Sequence, residues 1–294
     1  MSFEMKQDET VETDTCNIDQ TTASARDLAL SSEQISALEL QNLRPVSSFR
    51  SNKFEKESKK HWDIFYKRNE TRFFKDRHWT IREFVEICQP QSSEEQNNSG
   101  KTLVEIGCGV GNFAFPLLED EENCGDLFIY ACDFSPRAIS LVKSHSLYNE
   151  DRIVAFTADV CVEDTFLSSP VPLNSADFAS LMFVLSAIAP EKFETVIKNA
   201  AQVLRKEGLL FFRDYAVNDM AMFRFGPNSK ISDRRYVRQD GTISYFFEKE
   251  EIDNIMKNCG FRNVSLEYVE RRTINIKEGV NASRLFLQGK FRKL

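Results

Sequence analysis

An apolar run stops on three glycines at every second position: Leu103-Val104-Glu105-Ile106-Gly107-Cys108-Gly109-Val110-Gly111-Asn112. Leu103 to Ile106 has the character of a buried parallel strand. A side chain at Gly107, Gly109 or Gly111 would keep a ligand off the backbone. From Asn112 the pattern turns helical, through Phe113, Ala114, Phe115 and Leu117. Strand, tight turn and helix start form the first half of a nucleotide-binding βαβ unit, which commits the chain to an α/β fold with a parallel sheet.

The second half follows. Leu127 to Cys132 reads as the next strand, closed by Asp133, 22 positions past Gly111. An acid at about that spacing accepts from both hydroxyls of a ribose. Ser135 and Pro136 then supply an N-cap and a first helical residue. A third strand, Ile153 to Ala158, ends in Asp159. Both acids stand at carboxyl ends of strands, where open α/β sheets bind ligands.

The third glycine arrives one position earlier than in Gly-x-Gly-x-x-Gly, and Glu105 precedes the first. A pyrophosphate favours bare N–H donors and no adjacent carboxylate. A ligand with an ammonium and a sulfonium suits Glu105, and S-adenosylmethionine (SAM) carries both without a phosphate. SAM is therefore the expected cofactor, ahead of NAD. Glycines serving only tight strand–helix packing would leave Asp133 and Asp159 unexplained.

The chain has 294 residues, 41% of them hydrophobic, enough for one large domain with an appendage or two small ones. No apolar stretch reaches the 18 or so residues of a membrane span, and the acidic start lacks a secretory signal's apolar core. Seven cysteines without Cys-x-x-Cys, and three histidines, argue for a reducing compartment and against a metal site. The expected location is cytoplasmic, with the nucleus open. The net charge of −7 is unevenly spread, since residues 1–48 alone carry −6. Residues 49–83 and 262–294 each hold a surplus of five bases. Such flanks suit a polyanion; the rival reading is solvated helix faces.

Residues 1–45 read as a disordered acidic tail, with a helix-capable patch from Ser32 to Leu40 that docks on the body or on a partner. Residues 46–100 read as a helical extension and linker. Lys53 to Arg68 is helical in character, with Trp62, Phe65 and Tyr66 on one face. Thr71 to Trp79 is a loop dense in aromatics and bases, Ile81 to Ile87 is helical again, and 89–100 is polar. Residues 101–294 carry further strands at Ala176–Leu185, Gly208–Tyr215, Val264–Val269 and Ser283–Phe291. Helices are expected from Pro190 to about Lys206 and near Glu248–Cys259. Five strands alternating with helices plus a closing pair give a doubly wound, mostly parallel seven-stranded sheet with one antiparallel edge strand. An aromatic and basic insert, 216–247, is placed to cover a substrate or simply packs as a hairpin.

Arg213-Asp214-Tyr215 closes the fifth strand and, with Phe183 to Ser186, should border the cofactor's methyl group. Arg213 and Asp214 are pocket candidates; their rival role is an internal salt bridge. The Phe73–Trp79 loop suits base stacking, or a small core with a stem-packed arginine.

The chain resembles the eukaryotic tRNA 3-methylcytidine methyltransferases over roughly residues 49–294. The match is carried by Lys53–Glu57, Trp62–Asn69, Phe73–Trp79, Glu105–Gly111, Ala131–Ile139, Phe183–Ala187, Phe212–Tyr215, Tyr236–Thr242 and Phe286–Phe291. The likeness is greatest to the member acting on serine tRNAs, which in that family works with seryl-tRNA synthetase. The resemblance implies a class I, Rossmann-like methyltransferase with an N-terminal RNA-binding extension, forming 3-methylcytidine at position 32 of the anticodon loop. It implies that Gly107, Gly109, Gly111, Glu105, Asp133, Phe134, Asp159 and Val160 hold SAM, that Trp62 and Tyr66 help close its site, and that Phe183 and Leu185 border it. It implies that Phe73, Arg77, Arg213 and Asp214 shape the cytosine pocket. Competing readings are methylation of a protein or small molecule on the same fold, and a catalytically silent binding subunit.

Overall fold

The computed structural model describes residues 30–73, 76–89, 100–275 and 280–294, and side chains outside 272–282. The tail reading for 1–29, the linker at 90–99, and Phe74 with Lys75 lie outside those residues.

β1 (Thr102–Ile106), β2 (Phe128–Asp133), β3 (Ile153–Thr157), β4 (Ala176–Met182) and β5 (Leu204–Tyr215) run parallel, joined by β10 (Val280–Lys293) and β9 (Phe261–Asn275) in the order β3-β2-β1-β4-β5-β10-β9. Near-continuous apolar strands are covered on both faces. Leu103, Ile129 and Phe211 belong to one core with Phe113 and Leu117. Val104, Leu181, Phe212 and Leu287 belong to the other.

Helices follow the strands: α5 (Ala114–Glu119) and α6 (Glu121–Cys124) after β1, α7 (Pro136–Lys143) after β2, α8 (Phe193–Val203) after β4, and α10 (Lys249–Asn258) before β9. The expected α7 cap is present, with the Ala138 N–H donating to Ser135 Oγ at 3.1 Å. Two expectations need correction. The β3–β4 connection carries only a 3-10 turn, Thr165–Ser168. The antiparallel strand is not an edge: β10 pairs antiparallel with both β5 and β9, and β9 is the edge. β10 brings Phe286, Leu287 and Phe291 to the core, whereas β9 presents Glu267 and Glu270 amid exposed positions, as an edge tolerates.

Among the described residues, four α-helices precede the sheet: α1 (Ser32–Leu43), α2 (Ser48–Lys56), α3 (Ser58–Asn69) and α4 (Trp79–Glu83). α1 starts with a reciprocal capping box between Ser31 and Gln34. The helix expected over 53–68 is broken at Glu57, which separates α2 from α3. The insert forms α9 (Met220–Phe223) and a small antiparallel sheet of β6 (Lys230–Ser232), β7 (Arg235–Val237) and β8 (Ile243–Tyr245). The N-terminal helices dock on it. The buried Gln41 amide donates to the Met222 and Phe225 carbonyls at 2.9 Å each. Val46 N–H reaches Lys230 O at 2.7 Å, and Arg235 meets Glu55 at 2.6 Å.

The basic C-terminal flank is largely taken up inside the fold: Arg284 pairs with Asp219, Lys290 with Glu86, and Arg292 donates to the Glu207 carbonyl. The polyanion reading therefore fits the N-terminal flank better. Cys88 and Cys124, 36 positions apart, are joined as a disulfide, a pairing that the reading of scattered, reduced cysteines did not anticipate.

Candidate active site

The sheet order reverses between β1 and β4, and the crevice beyond their carboxyl ends is where such sheets bind ligands. Gly107 and Gly109 line its floor with φ of +69° and +56°, a region costly for any side chain. A Cβ on Gly107 would come within 2.6 Å of Val184 Cγ2, and one on Gly109 within 3.0 Å of Tyr66 Oη. Tyr66, buried on α3, thus lies across the glycine turn, with Trp62 packed beside it at a ring separation of 5.7 Å.

Asp133 ends β2, buried, its Oδ2 accepting the Gly109 N–H at 3.0 Å and its Oδ1 the Ser135 N–H at 2.9 Å. Burial lifts its carboxyl to about 6, against the pull of those two bonds. Lone pairs remain for a diol. Ser135 Oγ also donates to Asp63 of α3, tying the covering helix to α7. Glu105, on β1, is 3% exposed. The Ala114 N–H bonds its carboxylate, while Oε2 is buried with no hydrogen-bond partner among the described residues. Burial raises this carboxyl to about 8; Arg77 opposes the shift and Asp133 adds to it. An orphaned buried carboxylate oxygen asks for a cationic donor. Glu105, the glycine turn and Asp133 together fit an amino-acid ammonium and a ribose, the two ends of SAM.

The other half of the crevice is built around Phe183, a non-glycine residue at φ +62°. Its N–H donates to Arg213 O at 2.7 Å. The Arg77 guanidinium lies 5.0 Å over the Phe183 ring and donates to Met182 O at 3.3 Å. Burial lowers its pKa, opposed by Glu105, Tyr215, Tyr66 and Asp214. Arg77 is therefore felt by carboxylates from both halves. Asp214 is fully buried, its Oδ2 accepting the Ser186 N–H and its Oδ1 the Tyr215 N–H, both at 2.9 Å. Burial pushes its carboxyl to about 6, countered by Ser186, Tyr215 N–H and Arg238. It is mostly ionised at neutral pH.

Several sequence candidates stand elsewhere. Arg213 does not share the surroundings of Asp214, because successive strand residues point to opposite faces. Its guanidinium stacks 4.0 Å over Trp79 and pairs with Glu83 at 3.6 Å, in the internal bridge weighed as its rival role. Trp79 packs with the core there, so the Phe73–Trp79 loop divides: Trp79 inward, Arg77 in the crevice, and Phe73, 50% exposed, edge-on to Phe65 at 4.8 Å. The Leu185 side chain is fully buried in the core and offers a cofactor only its backbone. Val160 is buried in the same core, and Phe134 is half-buried. Asp159 is exposed beyond β3, its Oδ1 accepting the Cys161 N–H at 2.9 Å. Sequence reasoning did not single out Asp63, nor Arg238, which reaches Tyr215 from the insert. A polar residue next to Trp62 and one turn before Tyr66 was the available signal for Asp63.

A methyltransferase-domain profile matches residues 76–266. The tRNA N(3)-cytidine methyltransferase METTL6 of Mus musculus is 51% identical over 248 residues, covering 84% of this chain and 85% of that protein. The tRNA N(3)-methylcytidine methyltransferase trm141 of Schizosaccharomyces pombe is 48% identical over 260 residues, 87% of this chain and 100% of that one. Among solved structures, a SAM-dependent methyltransferase from Anabaena variabilis shares the fold, with a TM-score of 0.57 at 13% identity over 85% of this chain and 97% of that one.

Proposed function

The chain belongs to the tRNA N(3)-cytidine methyltransferase family, and from that membership we propose that it methylates N3 of a cytidine in tRNA using SAM. The carrying observation is the buried, unpartnered Glu105 oxygen beside the glycine turn and Asp133. Glu105 would take the ammonium, Asp133 the ribose hydroxyls, and Tyr66 with Trp62 the open side. When bound, SAM supplies a methyl group activated by a sulfonium.

N3 of neutral cytosine holds an in-plane lone pair, so no general base is needed. The chain's task is to receive an unstacked base and hold its Watson–Crick edge in line with the methyl group. Arg77, whose guanidinium lies over the Phe183 ring, would line one wall for that base with Phe183 behind it and act as a donor toward its O2. Alkylation leaves the base cationic. Asp214, buried and ionised, opposes that positive charge in a low-dielectric setting where a fixed charge acts strongly.

The finer assignment is position 32 of the anticodon loop of serine tRNAs, with seryl-tRNA synthetase as partner, in the cytoplasm with the nucleus left open. Its support is the resemblance over residues 49–294 and the aromatic, basic N-terminal flank. Purified protein incubated with SAM and total tRNA, with and without seryl-tRNA synthetase, should yield 3-methylcytidine on nucleoside mass spectrometry. Methyl transfer to another base, or none under either condition, would refute the assignment.

A further inference from the structure

The Tyr236–Thr242 string has no part in the scheme above, yet it is a built feature. Arg238 N–H donates to Thr242 O at 2.8 Å, and Gly241 N–H to Arg238 O at 3.0 Å. Asp240 Oδ1 accepts the Thr242 N–H and hydroxyl at 2.9 and 2.7 Å. Gly241, at φ +85°, leaves the space that the His61 ring of α3 fills. This tight turn delivers one long side chain to the crevice. Arg238 Nη2 donates to Tyr215 Oη at 3.1 Å, its guanidinium 5.5 Å from the ring centroid.

Three neighbouring arginines are matched to carboxylates: Arg234 to Glu251 at 2.8 Å, Arg235 to Glu55 at 2.6 Å, and Arg284 to Asp219 at 3.0 Å. Arg238 has no carboxylate within ion-pair distance among the described residues, although it is half-buried. Tyr215, which it holds, is half-buried among Phe183, Phe246 and Phe286, at ring separations of 5.2, 5.8 and 6.1 Å. A half-buried guanidinium that feels the Asp214 carboxylate only from beyond ion-pair distance, set against an aromatic plate, matches a nucleotide's phosphate and base.

We infer that Arg238 binds a backbone phosphate adjoining the nucleotide that enters the crevice, with Tyr215 as the plate against which that nucleotide rests. The inference rests on the tRNA reading above and deepens it. A guanidinium neutralising one phosphate contributes about 0.7–0.9 to the slope of log affinity against log salt. Binding of one unmodified serine tRNA, titrated from low to high salt, should show a slope shallower by that amount in Arg238→Ala and Arg238→Gln. Affinity at low salt should fall about fivefold to tenfold, with SAM affinity unchanged by calorimetry. Arg238→Lys should keep the wild-type slope. Tyr215→Phe removes only the hydroxyl partner and should also keep it.

A wild-type slope in Arg238→Gln, or the same loss in Tyr215→Phe as in Arg238→Ala, overturns the assignment and leaves Arg238 as a brace for the tyrosine. The glutamine variant keeps a hydrogen-bonding side chain in the turn should the alanine variant fold poorly. The readout is binding. Wild-type protein that binds tRNA yet forms no 3-methylcytidine would therefore remove the methylation reading and leave the phosphate contact standing.

Discussion

The half of the crevice assigned to the cofactor comes from one stretch, Glu105 to Ser135, covered by α3. The half assigned to the base gathers Arg77, Phe183, Asp214, Tyr215 and Arg238 from separate segments. In the first, two consecutive βα turns of the same unit fix each carboxylate by backbone bonds, such as Gly109 N–H and Ser135 N–H on Asp133. In the second, geometry depends on docking: the insert is held to the N-terminal helices by Gln41, Glu55 and His61, each bonded to residues some 180 positions away. A cofactor site made locally survives rearrangement of its surroundings, whereas a substrate site made by assembly can be altered from outside the chemistry.

If that division holds, lesions in one half should spare the other. Asp214→Ala should lower single-turnover methylation by about 10²–10³, the scale for removing a preorganised electrostatic group, while SAM binding survives. Normal methyl transfer by that variant would remove Asp214 from the mechanism. Asp133→Ala should weaken SAM binding by about tenfold to a hundredfold, the scale of lost charge-assisted bonds, with tRNA affinity unchanged; calorimetry and filter binding read the two. Glu105 supplies a pH test. Held at about 8 in the fold against an ordinary 4.5, it must lose a proton to receive an ammonium. SAM affinity should therefore rise up to about tenfold between pH 6 and 7, with proton release. The same raised value weakens the cofactor-free fold as pH climbs from about 4.5 to 8, because only the unfolded chain ionises freely there. Glu105→Gln should flatten both dependences. The smallest effect is expected of Glu55→Gln, which loosens the pair with Arg235 by about 1 kcal/mol or less. A lower melting temperature and slower tRNA methylation with intact SAM affinity would sharpen the division; weaker SAM binding would break it.

Legibility followed the same line. The glycine turn, Asp133 and the Ser135 cap were readable because each is fixed by spacing within one βα unit. For Arg213 the two weighed roles were separable by a rule already at hand, since adjacent strand residues face apart and Arg213 pairs with Glu83. Arg238 and Tyr215 lie 23 positions apart and meet only after the insert folds back. Which arm of the terminal hairpin enters the sheet turned on packing. Gly289 in β10 admits Leu266 and Phe291 side chains within 2.8 Å of where a Cβ would stand, a closeness no periodicity reveals. The Cys88–Cys124 bond likewise joins residues with no spacing signature.

Helix α3 touches both ligand zones with successive turns: Tyr66 leans on Gly109, and His61 fills the space beside Gly241 under the Arg238 turn. A rigid rod sharing two sites makes their occupancy a matter of thermodynamic reciprocity. Whatever factor the methyl donor adds to the grip on RNA, RNA must return to the donor. The spent donor loses only the sulfonium charge and keeps the ammonium meant for Glu105, so any change in its hold on RNA would have to arise at the methyl end of the crevice.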